Sequence, residues 1–110
     1  MSHSFEDILV KLRHFRDERD WAQFHNAKDL ALALSIETAE LNEHFLWKQS
    51  TEANSDKVQE ELADVLLYAF QLADHYGWDI PQLMLQKMAR NAEKYPVDKA
   101  KGTATKHDEL

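Results

Sequence analysis

Apolar residues in the first segment, Phe5, Ile8, Leu9, Leu12 and Phe15, recur at steps of three and four, the spacing of one face of an amphipathic helix. This helix is predicted to run to about Asp20, where Trp21, Phe24 and His25 stand in a polar stretch that reads as a loop. A second helix follows Asn26 or Asp29 and continues to about Gln49. The run from Ser50 to Ser55 is a connector, with Ser55 as the expected N-cap of a third helix. That helix spans about Asp56 to Tyr76 and stops at Gly77. A fourth opens at Asp79-Ile80-Pro81, since proline is well tolerated in a first turn, and ends at Pro96. Beyond it, Lys99, Lys101, Gly102, Thr103 and Lys106 show no apolar period, which predicts a mobile tail. The expectation is an all-α protein, a four-helix antiparallel bundle filling residues 1–96, with a tail at 97–110.

Placed on a wheel at about 100° per residue, the second helix shows an apolar stripe of Leu30, Ala33, Leu34 and Leu41. Glu37 falls inside that stripe and Glu40 on its border, with Ile36 and Trp47 beside it, whereas Glu43 points away. The third helix repeats the anomaly. Its apolar face is Val58, Leu62, Val65, Ala69 and Leu72, and along one edge lie Glu61 and Asp64, neighbours at a spacing of three, with Tyr68 between them in angle. Glu60 faces away. Each helix therefore carries a carboxylate pair beside the face that should pack. Burying unpaired carboxylates is costly, and gathering four adds mutual repulsion. A hard divalent cation relieves both, and magnesium or manganese favours oxygen ligands. Ion pairs to Lys87, Arg90 or Lys94 are the competing use of the same acids.

On the fourth helix Lys87, Asn91 and Lys94 share a ridge beside Met84 and Tyr95. Two cations and an amide next to a metal cluster would suit a polyphosphate; lysine stems lying along a core edge are the plainer reading. Aromatic residues in a stripe usually belong to the core. The Trp21, Phe24 and His25 group sits instead in a loop, where rings are available to stack on a base.

Composition narrows the field. The 110 residues hold two glycines and two prolines, too few turn-formers for a sheet protein, and suffice for one modest core. No cysteine is present, which removes disulfides and thiolate metal sites, and no histidine stands at a convincing zinc spacing. The net charge of −7, from 20 acidic and 13 basic residues, argues against a protein that coats nucleic acid. No run of about 18 apolar residues spans a membrane, and the opening Met1-Ser2-His3-Ser4-Phe5-Glu6 lacks the pattern of a signal peptide. A cytoplasmic location is expected, so the terminal His107-Asp108-Glu109-Leu110, which matches a retention signal of the endoplasmic reticulum, reads as coincidence.

Glu37-x-x-Glu40 followed by Glu61-x-x-Asp64 resembles the metal-binding pattern of the all-α nucleoside triphosphate pyrophosphohydrolases, the MazG-like superfamily, and most closely its dCTP pyrophosphatase branch. The resemblance covers about residues 5 to 96. It is carried also by Glu18-Arg19-Asp20-Trp21-Ala22-Gln23-Phe24-His25, by Phe45-Leu46-Trp47-Lys48, by Glu60 through Leu66, and by Lys87-Met88 through Asn91 to Lys94-Tyr95-Pro96. It implies that Glu37, Glu40, Glu61 and Asp64 are the catalytic magnesium ligands. It implies too that Trp21, Phe24, His25, Trp47 and Tyr68 line a pocket for base and sugar, and that Lys87, Asn91 and Lys94 meet the triphosphate. The implied reaction splits a dNTP into its monophosphate and pyrophosphate by attack of a magnesium-activated water on the α-phosphate, with Glu37 or Glu40 taking the proton. A cytosine deoxynucleotide is favoured and two or more Mg²⁺ are expected with substrate. The implied role is sanitising the nucleotide pool, as a homodimer or homotetramer. One departure bears on the base: where the dCTP branch has a substrate-contacting histidine in its first helix, this sequence has Leu12.

Two other classes fit parts of the pattern. A non-catalytic helical interaction module would use Glu37 and Glu61 in interhelical salt bridges. A di-iron bundle would need two Glu-x-x-His motifs, and here Glu40 and His44 are four apart.

Overall fold

Helix caps written into the sequence set most of the boundaries in the computed structural model, which describes residues 4–110. The first three residues of the expected 1–96 domain lie outside the described part. The helices are α1 (Phe5–Glu18), α2 (Ala27–Glu43), α3 (Ser55–Tyr76), α4 (Ile80–Lys94) and the single turn α5 (Val97–Ala100). Short 3-10 turns occupy Ala22–Phe24, Ser50–Glu52 and His107–Glu109. No strand occurs among the described residues. The chain forms two compact units, Met1–Trp78 and Asp79–Leu110.

In the first unit, Ser4 and Asp7 form a reciprocal capping box at the start of α1: the Ser4 hydroxyl accepts from the Asp7 N–H at 3.1 Å, and the Asp7 carboxylate accepts from the Ser4 N–H at 3.2 Å. The far end closes with a left-handed residue, Asp20 at φ 54. There the Asp20 N–H donates to the Asp17 carbonyl and the Trp21 N–H to the Arg16 carbonyl, the two bonds of a Schellman turn. Aspartate tolerates this backbone better than most residues do, and the turn sends Trp21 back toward α1. Asn26 caps α2 by accepting from the Asp29 N–H at 2.8 Å.

Two boundaries differ from expectation. The second helix ends at Glu43, short of Gln49: the N–H groups of His44, Phe45 and Leu46 bond three residues back, and Trp47 at φ 62 breaks the helical path. Aromatic side chains crowd the preceding helical turn, so the Phe45–Trp47 run supports a tightened exit more readily than another full turn. The third helix is capped by Asn54 rather than Ser55. The Asn54 side-chain oxygen accepts from the N–H groups of Asp56 and Lys57, and Ser55 is already helical.

Helices α2 and α3 pack along their lengths, and α1 lies against α3. Among the described residues of this unit, Leu9, Leu30 and Ala73 are the buried apolar ones. Arg13 on α1 clamps Asp74 on α3, its Nε donating at 3.0 Å and its Nη2 at 2.5 Å to the carboxylate. Leu62, expected on the packed face of α3, is 44 % exposed.

Gly77 ends α3 at φ +72, with its N–H on the Asp74 carbonyl and the Trp78 N–H on the Ala73 carbonyl. A Cβ there would meet nothing within 4 Å, so the requirement is conformational. Gly77→Ala is expected to lower stability by about 1 kcal/mol, read as a fall in urea midpoint at unchanged m-value. An unchanged midpoint would contradict this account of the turn.

In the second unit, Asp79 caps α4 by accepting from the Gln82 N–H at 2.9 Å, with Pro81 in the first turn. Ile80 is its buried residue. Past Pro96 come α5 and the final 3-10 turn, whose His107 ring meets Tyr95 edge-on at 5.7 Å.

Candidate active site

The face that α2 turns inward carries the half-buried Ala33, Leu34, Glu37, Glu40 and Leu41 around the buried Leu30, while Leu32, Ile36 and Glu43 are exposed. Helical spacing thus inserts Glu37 into an apolar face. Across from it, α3 presents a half-buried Glu61 and an exposed Asp64. One carboxylate oxygen from each of Glu37, Glu61 and Asp64 lies within 4.8 Å of the others. Glu40, one turn beyond Glu37, stands outside that trio but beside the Glu37 carboxyl.

Among the described residues of the first unit no lysine or arginine pairs with any of the four acids, and His44 Nε2 stands 3.8 Å from Glu61 Oε1. Oε2 of Glu37 and Oε2 of Glu61 are buried without a hydrogen-bond partner. Burial, reinforced by the hydrogen bond and charge of Glu40 and by Glu61 and Asp64, pushes the Glu37 carboxyl up to about 7 from an ordinary 4.5. Orphaned buried oxygens and a carboxyl that resists ionising are the marks of an acidic cluster short of positive charge. The donors are all carboxylate oxygens, which fit a hard divalent cation.

Beside the trio opens a cleft of about 530 Å³, within the usual range of small-molecule pockets. The α1 wall is Ile8, Lys11, Leu12, Phe15 and Arg16; Asp64, Leu67, Tyr68 and Gln71 form the α3 wall; Trp21 and His25 close it from the connecting loop. The Phe15 and Trp21 rings meet edge-on at 5.8 Å, and the Arg19 guanidinium caps Phe15 at 3.7 Å. Burial, helped by the charge of Arg16, lowers the His25 pKa, so the imidazole is neutral at pH 7 and packs as a ring. Asp64 belongs to both the acid cluster and the cleft. Any ligand filling the cleft therefore reaches the oxygens of the acid cluster.

Of the residues singled out in the sequence, Glu37, Glu61 and Asp64 come together, and Trp21, His25, Tyr68 and Asp64 share the cleft. Phe24, 63 % exposed, and Trp47, 93 % exposed, are not among its walls. Lys87, Asn91 and Lys94 follow one another along α4 in the second unit and are all exposed. His44, Lys11, Arg16 and Gln71 were not anticipated. His44 had a legible signal, standing one turn past Glu40 and two past Glu37. Gln71 had one as well, seven residues beyond Asp64 on the same ridge as Tyr68.

A family model described as MazG-like matches residues 32–110. The mouse protein named dCTP pyrophosphatase 1 is 41 % identical, over 97 % of this chain and 68 % of its own length; the human one is 39 % identical over the same shares. The crystal structure of a pyrophosphatase from Archaeoglobus fulgidus superposes with a TM-score of 0.80 at 40 % identity, over 87 % of this chain and 95 % of that one. Paired acids on two packed helices, a family model covering most of the sequence and relatives alike over nearly all of it lead to one conclusion: the chain belongs to the MazG-like family.

Proposed function

We propose that this protein hydrolyses a deoxynucleoside triphosphate to its monophosphate and pyrophosphate, sanitising the nucleotide pool, with a cytosine deoxynucleotide as the favoured substrate. The observation that carries this reading is the junction at Asp64, where a partner-poor acid cluster meets an apolar, aromatic-walled cleft of nucleoside size. The names of the relatives support the reaction and the base.

Glu37, Glu61 and Asp64 would hold the metal, Mg²⁺ in this reading and Mn²⁺ as a substitute. When bound, such an ion supplies Lewis acidity at the α-phosphoryl oxygen and an activated water. Glu40, beside the trio but outside it, is the carboxylate left to take the proton. The water oxygen bonds to the α-phosphorus as the bond to the oxygen bridging α and β breaks, and pyrophosphate leaves. Trp21 and Tyr68 hold base and sugar, with His25 packing as a neutral ring behind them. The apolar walls exclude bulk water, which strengthens every charge interaction within. Lys87, Asn91 and Lys94 are the proposed triphosphate contacts, and Phe24 and Trp47 further aromatic contacts.

Charge sets the stoichiometry. Four ionised carboxylates with one divalent ion leave about −2, and a triphosphate adds about −4, a repulsion of several kcal/mol even at an effective dielectric near 20. The substrate complex therefore takes at least two divalent ions. We also assign a homo-oligomer. Three buried apolar residues among those described are a small core for the first unit, while Leu32, Ile36, Leu62 and Leu66 are about half exposed on α2 and α3, and a second copy would cover such surface.

Incubation with each dNTP and Mg²⁺, followed by separation of products, tests the reaction. The expected result is monophosphate and pyrophosphate in equal amounts. Release of single phosphate, or no turnover of any dNTP, would sink the assignment.

A further inference from the structure

Gln71 lies seven residues beyond Asp64 on α3, on the ridge that also carries Tyr68, and all three line the cleft. Seven helical residues rise about 10 Å, the span of a nucleoside whose phosphate lies at the carboxylates. The Gln71 Nε2 donates to the Leu67 carbonyl oxygen at 3.3 Å. A carbonyl oxygen only accepts, so this contact fixes which end of the amide is which. The nitrogen is tied to the helix and Oε1 is the end left over, and no described residue donates to it.

Other polar groups in the cleft compete poorly for the task of reading a base. Arg16 and Lys11 only donate, and Arg16 is engaged by Asp17 and Asp74. His25 Nδ1 is buried without a hydrogen-bond partner. Asp64 belongs to the acid cluster, and the Tyr68 hydroxyl rotates to suit either a donor or an acceptor.

We propose that Gln71 is a specificity-determining residue of this cleft: its fixed Oε1 accepts a hydrogen bond from the exocyclic amino group of the base, favouring a cytosine nucleotide over its uracil or thymine counterpart. This rests on the dNTP reading above. Cytosine offers an amino donor where uracil and thymine offer a carbonyl acceptor. Acceptor against acceptor in a water-poor cleft leaves both unpaired, the arrangement by which polar sites reject a near-isosteric competitor.

The test compares kcat/KM for dCTP and dUTP in the parent and in Gln71→Met, which keeps the chain length and removes the acceptor. The parent is expected to favour dCTP. The variant should lose about tenfold or more on dCTP while dUTP changes by no more than about twofold, at unchanged melting temperature. A parent without preference, an unchanged dCTP-to-dUTP ratio, or equal losses on both would overturn the proposal. Metal-free titration with dCMP and dUMP, followed by tryptophan fluorescence, separates this from the hydrolytic reading. If the parent turns over no dNTP, the pyrophosphohydrolase assignment falls, yet tighter dCMP binding that Gln71→Met abolishes would still support the role of Gln71. Equal binding of the two would refute it.

Discussion

Glu61→Gln is expected to release pyrophosphate about a thousandfold more slowly than the parent, a barrier increase of about 4 kcal/mol, while folding at least as well. Glu61 is half-buried, with Oε2 lacking a hydrogen-bond partner and Oε1 3.8 Å from His44 Nε2. The amide keeps the shape and removes the charge, so a metal ligand is lost and nothing in the packing is. In the metal-free protein the substitution also removes one acid from the cluster in which Glu37 resists ionising, so the melting temperature should hold or rise. If the acids served only as structural ion pairs, the outcome would be reversed, with a lower melting temperature and no activity to lose. Initial rates and thermal melts on the same preparation separate the two. Turnover within about threefold of the parent would contradict the site.

The metal-free protein is expected to lose stability as pH rises from about 5 to about 8, and divalent metal should reverse the trend. Burial and the Glu40 carboxyl raise Glu37 to about 7 from an ordinary 4.5. Between those values the folded state binds more protons than the unfolded chain, so the contribution is full below 4.5 and is lost as pH climbs through 7. A divalent cation takes the place of the proton, and its stabilising effect grows over the same interval. Melts with chelator or with Mg²⁺ at constant ionic strength should differ by roughly 5 °C or more at the alkaline end and by little at the acid end. Glu37→Gln should flatten the pH dependence and raise the metal-free melting point near pH 8. A Mg²⁺ effect that is the same at every pH would count against this origin.

Much of the first unit could be read from residue order. The face of α2 was legible because Leu30, Ala33, Leu34 and Leu41 keep a strict helical period, and an acid at Glu37 inside that period is conspicuous. Gly77 and Asp79 mark the end of α3 and the start of α4 without ambiguity. What escaped depended on contacts distant in sequence or on competition between neighbours. Asn54 and Ser55 are both good caps, and only the observed bonds to Asp56 and Lys57 separate them. The Arg13–Asp74 clamp joins residues 61 apart, beyond any periodicity argument. Trp47 looked like a continuation of α2, but aromatic crowding and a left-handed backbone turn it off the helix. His44, four residues past Glu40, fails the Glu-x-x-His spacing of a di-iron motif, yet its ring nitrogen stands 3.8 Å from Glu61. Leu62 followed the apolar period of α3 yet is 44 % exposed, because periodicity marks a face without saying what packs on it.

Calorimetric titration of Mg²⁺ into the substrate-free parent and into Glu61→Gln, at fixed ionic strength, addresses the acid cluster without reference to any nucleotide. A saturable isotherm in the parent that is absent from the variant is the predicted result. Featureless heats in both, or the same isotherm in both, would mean that Glu37, Glu61 and Asp64 converge for a reason other than holding a divalent ion.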